Sequence, residues 1–152
     1  MMTGLEFPDI SPIMFSIGPV AVRWYSMAYL FGILAGWYLI NRNVKKYDLG
    51  LSRTNVEDMV FYLTLGIILG GRLGYVLFYG KGYFWENPLR ILEIWQGGMS
   101  FHGGVLGVVA ALWLFARKIN YGFLRLTDLV VLYAPIGIFC GRLANFVNDE
   151  LW

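Results

Sequence analysis

The chain has 152 residues, of which 58% are hydrophobic and only 14% are charged. This composition excludes an ordinary soluble domain, in which about a quarter of the residues are charged. The net charge of +2 is small and the basic residues are spread over short loops, so nucleic acid is not expected as a partner. The class predicted is therefore a polytopic α-helical membrane protein.

Four apolar runs are each long enough for one membrane crossing, which takes about 20 residues. They are residues 20–40, 59–79, 99–116 and 129–147. Ahead of the first run, residues 7–12 are too rich in proline for a regular helix, and residues 13–17 are expected to lie along the membrane interface. The N-terminus lacks the basic start of a secretory signal, so we expect the first span to be retained. The fold predicted is an all-α membrane helix bundle that forms a single transmembrane domain over residues 1–152.

The distribution of basic residues predicts the orientation. Loops 41–58 and 117–128 contain Arg42, Lys45, Lys46, Arg53, Arg117, Lys118 and Arg125. The N-terminal tail and loop 80–98 contain only Lys81 and Arg90. By the positive-inside rule, the N-terminus, loop 80–98 and the end of the fourth span face outward.

Every span carries glycines one helical turn apart. They are Gly32 and Gly36; Gly66, Gly70 and Gly74; Gly103 and Gly107; and Gly137 and Gly141. Apolar surface gives little drive for helices to associate in lipid, so glycines that allow close backbone approach matter there. We interpret them as packing residues and not as a site.

Two arginines lie within the spans, where a charge costs about 2.5–3.5 kcal/mol on insertion scales. Arg72 is in the second span and Arg142 is late in the fourth. Each should face a partner, a wet cavity or a ligand, and a snorkelling or ion-paired arginine stays an alternative for both.

Several polar residues follow Arg142 along the chain. If the helix persists, its spacing places Asn145 and Asp149 on the same face. A guanidinium beside amide donors suits a phosphate, because the planar fork binds two oxygens and stays charged. The alternative is a helix end solvated by headgroups, which fits Asn148, Asp149 and Glu150.

The single histidine, His102, lies at the outward start of the third span. The predicted orientation brings it to the membrane level of Arg142 and of Tyr25 in the first span. An imidazole there suits acid or base chemistry or, alternatively, a headgroup contact. No second histidine and no cysteine stands at ligand spacing, so no metal site is expected; Cys140, the only cysteine, cannot form an intrachain disulfide.

Several ordered segments carry a resemblance to a known family. They are FSIGPV at 15–20, RWY at 23–25, GGRLGY at 70–75, GGMSFHGG at 97–104 and GRLANFVNDE at 141–150. The last looks like a family signature: glycine-arginine, two residues, asparagine-phenylalanine, one residue, asparagine, one residue, glutamate. With these segments the sequence resembles the phosphatidylglycerol–prolipoprotein diacylglyceryl transferases.

The resemblance implies specific roles. The catalytic residues would be His102, Tyr25 and Arg142, and the residues that bind phosphatidylglycerol would be Arg142, Asn145, Glu150 and Arg72. Arg142 would contact the lipid phosphate, and His102 would be the candidate general base. The enzyme would transfer the diacylglyceryl group of phosphatidylglycerol to the lipobox cysteine of a prolipoprotein, release glycerol phosphate and need no cofactor.

The resemblance also implies a bacterial inner-membrane enzyme, with several spans and an active site toward the periplasm. Members of the family continue well past the signature, so we expect this chain to be a fragment whose partners include the remaining C-terminal part of the same protein. Two other functions stay open: a transporter or channel component with an anion path, and a non-enzymatic module that binds lipid. The first would spread polar residues along a pore, and the second would tolerate loss of His102.

Overall fold

The computed structural model describes residues 11, 13–17, 20–80, 84, 87–94 and 98–147, and these are predominantly α-helical. In chain order the elements are the strands β1 (Ile13–Ile17) and β2 (Val20–Arg23), the helices α1 (Trp24–Tyr47) and α2 (Arg53–Tyr79), a 3₁₀ helix (Pro88–Leu92), and the helices α3 (Phe101–Lys118), α4 (Phe123–Val131) and α5 (Ala134–Val147). This helical content is compatible with the predicted membrane bundle.

The start of the chain departs from the all-α prediction. Residues 20–23 do not begin the first helix; they form β2, which pairs antiparallel with β1 in the register Ile17 with Val20 and Phe15 with Val22. The segment is rich in β-branched and aromatic residues, which favour strands. Helix α1 therefore begins at Trp24, and it runs to Tyr47, beyond the apolar run, because its amphipathic end holds no proline or glycine.

The predicted fourth span, residues 129–147, is not one continuous helix. It is interrupted at Leu132 and Tyr133, between α4 and α5. Pro135 explains the break, because proline has no N–H to donate to the carbonyl of Val131 and its ring collides with that carbonyl. Turn hydrogen bonds from Tyr133 N–H to Val130 O at 3.0 Å and from Ile136 N–H to Tyr133 O at 3.1 Å bridge the interruption.

The chain divides into two compact units: the first contains Met1–Tyr47 and Val130–Trp152, and the second Asp48–Leu129. In the second unit, α2 and α3 pack through glycines, as predicted. A Cβ on Gly70 would lie 2.3 Å from the carbonyl oxygen of Gly103, and a Cβ on Gly66 would lie 2.6 Å from that of Gly107. The two helices are antiparallel and their backbones touch, an approach that only glycine permits.

The other end of this helix pair is closed by larger side chains. Phe115 and Met59 are fully buried, and the Tyr62 ring packs against Phe115 with 5.5 Å between centroids. Lys118 donates to Asp58 at 3.1 Å and lies over the Tyr62 ring. The hydrogen bond with Asp58 raises the pKa of Lys118 above its ordinary value. This exposed pair adds little stability, so the apolar contacts and the glycine seam hold the helices together.

The first unit contains a second antiparallel pair, α1 and α5. A Cβ on Gly32 would lie 3.0 Å from Gly137 Cα. Toward one end of the pair, the Asn43 side-chain amide donates to the Tyr133 hydroxyl. Gly36 differs from its predicted role, because a Cβ there would meet nothing within 4 Å among the described residues.

The C-terminal half of α2 exposes large apolar side chains and buries glycines. On α2, Leu69 is 58% and Leu77 is 70% exposed, while Gly71 and Gly74 are buried. A soluble helix shows the reverse pattern, with its large apolar residues turned inward. By length and composition alone, among the described residues, α2 suffices to cross a bilayer, and α4 with α5 also passes that test if the bent pair is counted as one span.

The two kinds of glycine predict opposite outcomes. Gly70→Ala should lower the free energy of unfolding by about 1–3 kcal/mol, because the new methyl collides with backbone. The matched change Gly36→Ala meets open space, so it should be neutral or stabilise by up to about 1 kcal/mol through helix propensity. Thermal unfolding in detergent micelles measures both. Equal melting temperatures for the two variants would contradict the backbone contact at Gly70.

Candidate functional site

Helix α5 presents two of the predicted site residues on neighbouring turns of its C-terminal half. Arg142 is exposed and Asn145 is half-buried. The Oδ1 atom of Asn145 is buried and accepts no hydrogen bond from any described residue. Buried carbonyl oxygens are nearly always paired, so this one marks a position for an additional donor. The helix continues to Val147, which keeps the two side chains within one turn of each other.

Helix α1 reaches the same level of the first unit. A Cβ on Gly141 would lie 3.8 Å from the Tyr29 hydroxyl, which places this ring against α5 one turn before Asn145. Because the helices are antiparallel, Tyr25, one turn earlier on α1, lies at the level of Asn145 along the pair. The backbone of Tyr25 is helical, and its side chain is outside the described part of the chain.

In the second unit, Arg72 is bound on several sides. Its Nε donates to Ile91 O at 2.8 Å, its Nη2 to Arg90 O at 2.6 Å and its Nη1 to Gly98 O at 3.3 Å. The side chain is only 6% exposed. Backbone carbonyls therefore occupy its guanidinium, and the predicted contact of Arg72 with the lipid phosphate stays a prediction.

His102 lies in the first turn of α3, where Ser100 is the N-cap residue and its hydroxyl accepts from Gly103 N–H at 3.2 Å. The imidazole is exposed and meets the Phe101 ring edge-on, with 5.8 Å between centroids. It borders a shallow open groove of about 310 Å³ lined by Tyr75, Tyr79, Met99, Ser100, Phe101 and His102. A mostly apolar groove beside a titratable ring suits an amphiphilic substrate.

The predicted site residues thus fall into two groups. The first unit holds Tyr25, Arg142 and Asn145, and the second holds Arg72 and His102. The convergence of His102 with Arg142 stays a prediction. Asn148, Asp149 and Glu150 lie outside the described residues. In the part of the chain that is described, no group of three or more His, Cys, Asp or Glu side chains is arranged to hold a metal ion.

Sequence reasoning missed two groups around the site. Tyr29 was visible only as a tyrosine one turn after Tyr25, and its contact with Gly141 needed the helix pairing. Gly98, with φ of 80°, packs so closely on Tyr75 that a Cβ would lie 2.5 Å from the ring. The available signal was the glycine pair before the N-cap serine of α3, which is typical of a tight turn.

Comparison with known proteins bears on this arrangement. The sequence profile of the family described as prolipoprotein diacylglyceryl transferase matches residues 12–152. Curated relatives are described as phosphatidylglycerol–prolipoprotein diacylglyceryl transferases. That of Rickettsia canadensis (strain McKiel) is 51% identical, and the match covers 96% of this chain and 56% of the relative. That of Rickettsia felis is also 51% identical, and the match covers 97% of this chain and 57% of the relative. That of Rickettsia bellii (strain OSU 85-389) is 47% identical, and the match covers 97% of this chain and 56% of the relative. The chain spans a little more than half of these relatives.

The unpaired carbonyl of Asn145 predicts an unusual response to mutation. Asn145→Leu keeps the branched shape of the side chain and removes a buried acceptor, so the free energy of unfolding should stay equal or rise by about 1–3 kcal/mol. Asn43→Leu is the matched control: it removes the donor to Tyr133 and should cost about 1 kcal/mol. Thermal unfolding without added phospholipid measures both. A clear loss of stability for Asn145→Leu would reveal a partner for Oδ1 within the protein.

Proposed function

Because the chain belongs to the prolipoprotein diacylglyceryl transferase family, we propose that the protein containing it transfers the diacylglyceryl group of phosphatidylglycerol to the lipobox cysteine thiol of a prolipoprotein. The observation that carries the proposal lies at the end of α5, where the exposed Arg142 stands one turn from Asn145, whose buried carbonyl has no donor among the described residues. One group suits a lipid phosphate, and the other suits a hydroxyl of its glycerol headgroup.

The surface of the helices supports a membrane location. The large apolar side chains exposed on α2 would be unfavourably hydrated in water, whereas acyl chains would offer them apolar contact. We propose four crossings of the bacterial inner membrane, at 20–40, 59–79, 99–116 and 129–147, with the hairpin ahead of α1 and the break at Pro135 as local departures. The basic loops favour an N-terminus and an active site on the periplasmic side.

The phosphate site would lie on α5. Arg142 would bind the phosphate of phosphatidylglycerol by its planar fork, and Asn145 and Glu150 would shape the headgroup site. As the ester bond breaks, negative charge grows on the leaving phosphate oxygen. A fixed guanidinium stabilises that charge more strongly in a dry site than in water. Tyr25, at the level of Asn145, would complete this part of the site.

The nucleophile would be the lipobox thiol, whose pKa of about 8.5 leaves little thiolate at neutral pH. His102 would accept the thiol proton, and the sulfur would attack the diacylglyceryl carbon that carries the phosphate. A carbon–sulfur bond forms, the carbon–oxygen bond to phosphate breaks, and glycerol phosphate leaves with the bonding electrons. No redox step and no cofactor is needed.

The alternatives fit less well. A transporter would need polar groups along a path through the membrane, whereas the described candidates Arg142, Asn145 and His102 lie near helix ends. The named relatives are transferases, and none of those given above is described as a transporter or a lipid-binding module. Additional partners of the chain would be membrane lipids and, as the resemblance implies, the C-terminal part of the same protein.

Arg142→Ala in the complete native polypeptide should abolish the diacylglyceryl thioether, with a loss of at least about 10²–10³-fold in rate. The reason is that the leaving phosphate loses its fixed cation. The measurement is mass spectrometry of a lipobox peptide incubated with phosphatidylglycerol. Arg53→Ala, at an exposed arginine that pairs with Glu57, is the control and should retain product. Near-normal product from Arg142→Ala would remove this residue from the site.

His102→Gln should slow turnover by about 10²–10⁴-fold, because glutamine cannot take up the thiol proton at neutral pH. Binding of phosphatidylglycerol, measured by equilibrium binding of a labelled lipid, should stay close to that of the parent protein. This separation distinguishes a proton acceptor from a structural residue. Equal losses of binding and of turnover would instead assign His102 to the framework of the site.

A further inference from the structure

We propose that Arg72 is a positioning residue, which fastens residues 87–94 and Gly98 to α2 and thereby fixes the first turn of α3, where His102 lies. The inference deepens the proposed function, on which its catalytic consequence rests. Its structural part rests on the contacts of the second unit alone.

Arg72 joins two separate parts of the loop. Its Nε and Nη2 donate to the carbonyls of Ile91 and Arg90 in the 3₁₀ helix, and its Nη1 donates to the carbonyl of Gly98, just ahead of α3. Hydrogen bonds from a charged donor are about twice as strong as neutral ones. A planar guanidinium can hold three such acceptors at once, which a single ammonium cannot do at the same positions.

Two aromatic rings enclose the same guanidinium. Its central carbon lies 5.3 Å from the centroid of Phe84 and 5.9 Å from that of Tyr75. The two rings also pack edge to face, with 6.3 Å between their centroids. With 6% of Arg72 exposed, a lipid phosphate would have to displace both the rings and the carbonyls to reach it. The geometry therefore favours a positioning role over anion binding.

The contact is transmitted to His102 by the backbone of residues 98–100. Ser100 N–H donates to Gly71 O at 2.8 Å, beside Arg72 on α2. Ser100 is only 6% exposed, and its hydroxyl caps the first turn of α3 by accepting from Gly103 N–H. Hydrogen bonds thus fix Gly98 to Arg72, Ser100 to Gly71 and Gly103 to Ser100. His102 lies between Ser100 and Gly103.

The tests compare Arg72→Lys and Arg72→Gln with Arg53→Lys, a control in which an exposed arginine is changed. All are made in the complete native polypeptide. In both Arg72 variants, kcat should fall about tenfold or more, since small displacements of a catalytic group are costly, while KM for phosphatidylglycerol stays within about twofold. Arg53→Lys should match the parent protein in both constants.

Amide hydrogen exchange, followed by mass spectrometry, reports the position of the loop without any reaction. Exchange of peptides covering residues 87–104 should be at least about tenfold faster in the Arg72 variants, and peptides from the glycine seam at 105–111 should be unchanged. Acceleration spread evenly through α2 and α3 would assign Arg72 to global stability and overturn the proposal.

The kinetic and hydrogen-exchange measurements together separate a failure of this inference from a failure of the proposed function. A large rise in KM for phosphatidylglycerol with unchanged exchange would make Arg72 a lipid-binding residue, which overturns the inference. Unchanged kcat and unchanged exchange would overturn it as well. If the parent protein itself forms no thioether, the proposed function fails, while the exchange comparison still decides whether Arg72 fixes the loop.

Discussion

The close approach of α2 and α3 is the constraint on which the second unit depends. In lipid, two helices gain little by burying apolar surface against each other, because acyl chains offer the same contact. Glycines at 66, 70, 103 and 107 let the two backbones touch, with positions where an added Cβ would lie less than 3 Å from the facing carbonyl oxygen. Short-range packing of this kind fixes the helices in one register, since a shift of one residue would drive side chains into backbone.

The register of the seam determines what lies at its end. Beyond Gly103, the backbone N–H of Ser100 donates a hydrogen bond to Gly71 O, and Gly98 O accepts one from Arg72. A buried arginine inside a mostly apolar helix would be costly without partners, and here the carbonyls of the loop supply them. The charge and the loop therefore stabilise each other: the carbonyls of Arg90, Ile91 and Gly98 satisfy the guanidinium, and the guanidinium holds these residues against α2.

Much of this could be predicted from sequence. The apolar runs located α2 and α3 closely, and the glycine spacing identified contact positions in both helix pairs, although Gly36 lies outside the contact. The hairpin ahead of α1 and the break before α5 were missed, because residue hydrophobicity reports burial or lipid contact and not backbone conformation. Pro135 was the available signal for the break. The hydrogen-bond partners of Arg72 could not be predicted, because they are main-chain carbonyls of a loop whose sequence shows no periodic pattern.

The candidate site was predictable in its residue types and only partly in its geometry. Gly141 and Arg142 are adjacent in the signature, and His102 and Gly103 are adjacent in the segment at 97–104, but a physical reason for each adjacency appears only in the structure. A residue that follows or precedes a contact glycine has its Cα fixed by the helix crossing, while its side chain leaves the helix about 100° away from the contact.

The same relation holds three times: Gly71 precedes Arg72, Gly103 follows His102 and Gly141 precedes Arg142. Each of these glycines lies against a neighbouring side chain or backbone: Gly71 against Met99, Gly103 against Gly70 and Gly141 against Tyr29. A functional group on a rigid helix is held more accurately than one on a loop. Where the adjacent side chain is exposed, as for His102 and Arg142, it stays accessible, as the proposed function requires. Where a loop covers it, as for Arg72, the same device fixes the loop instead.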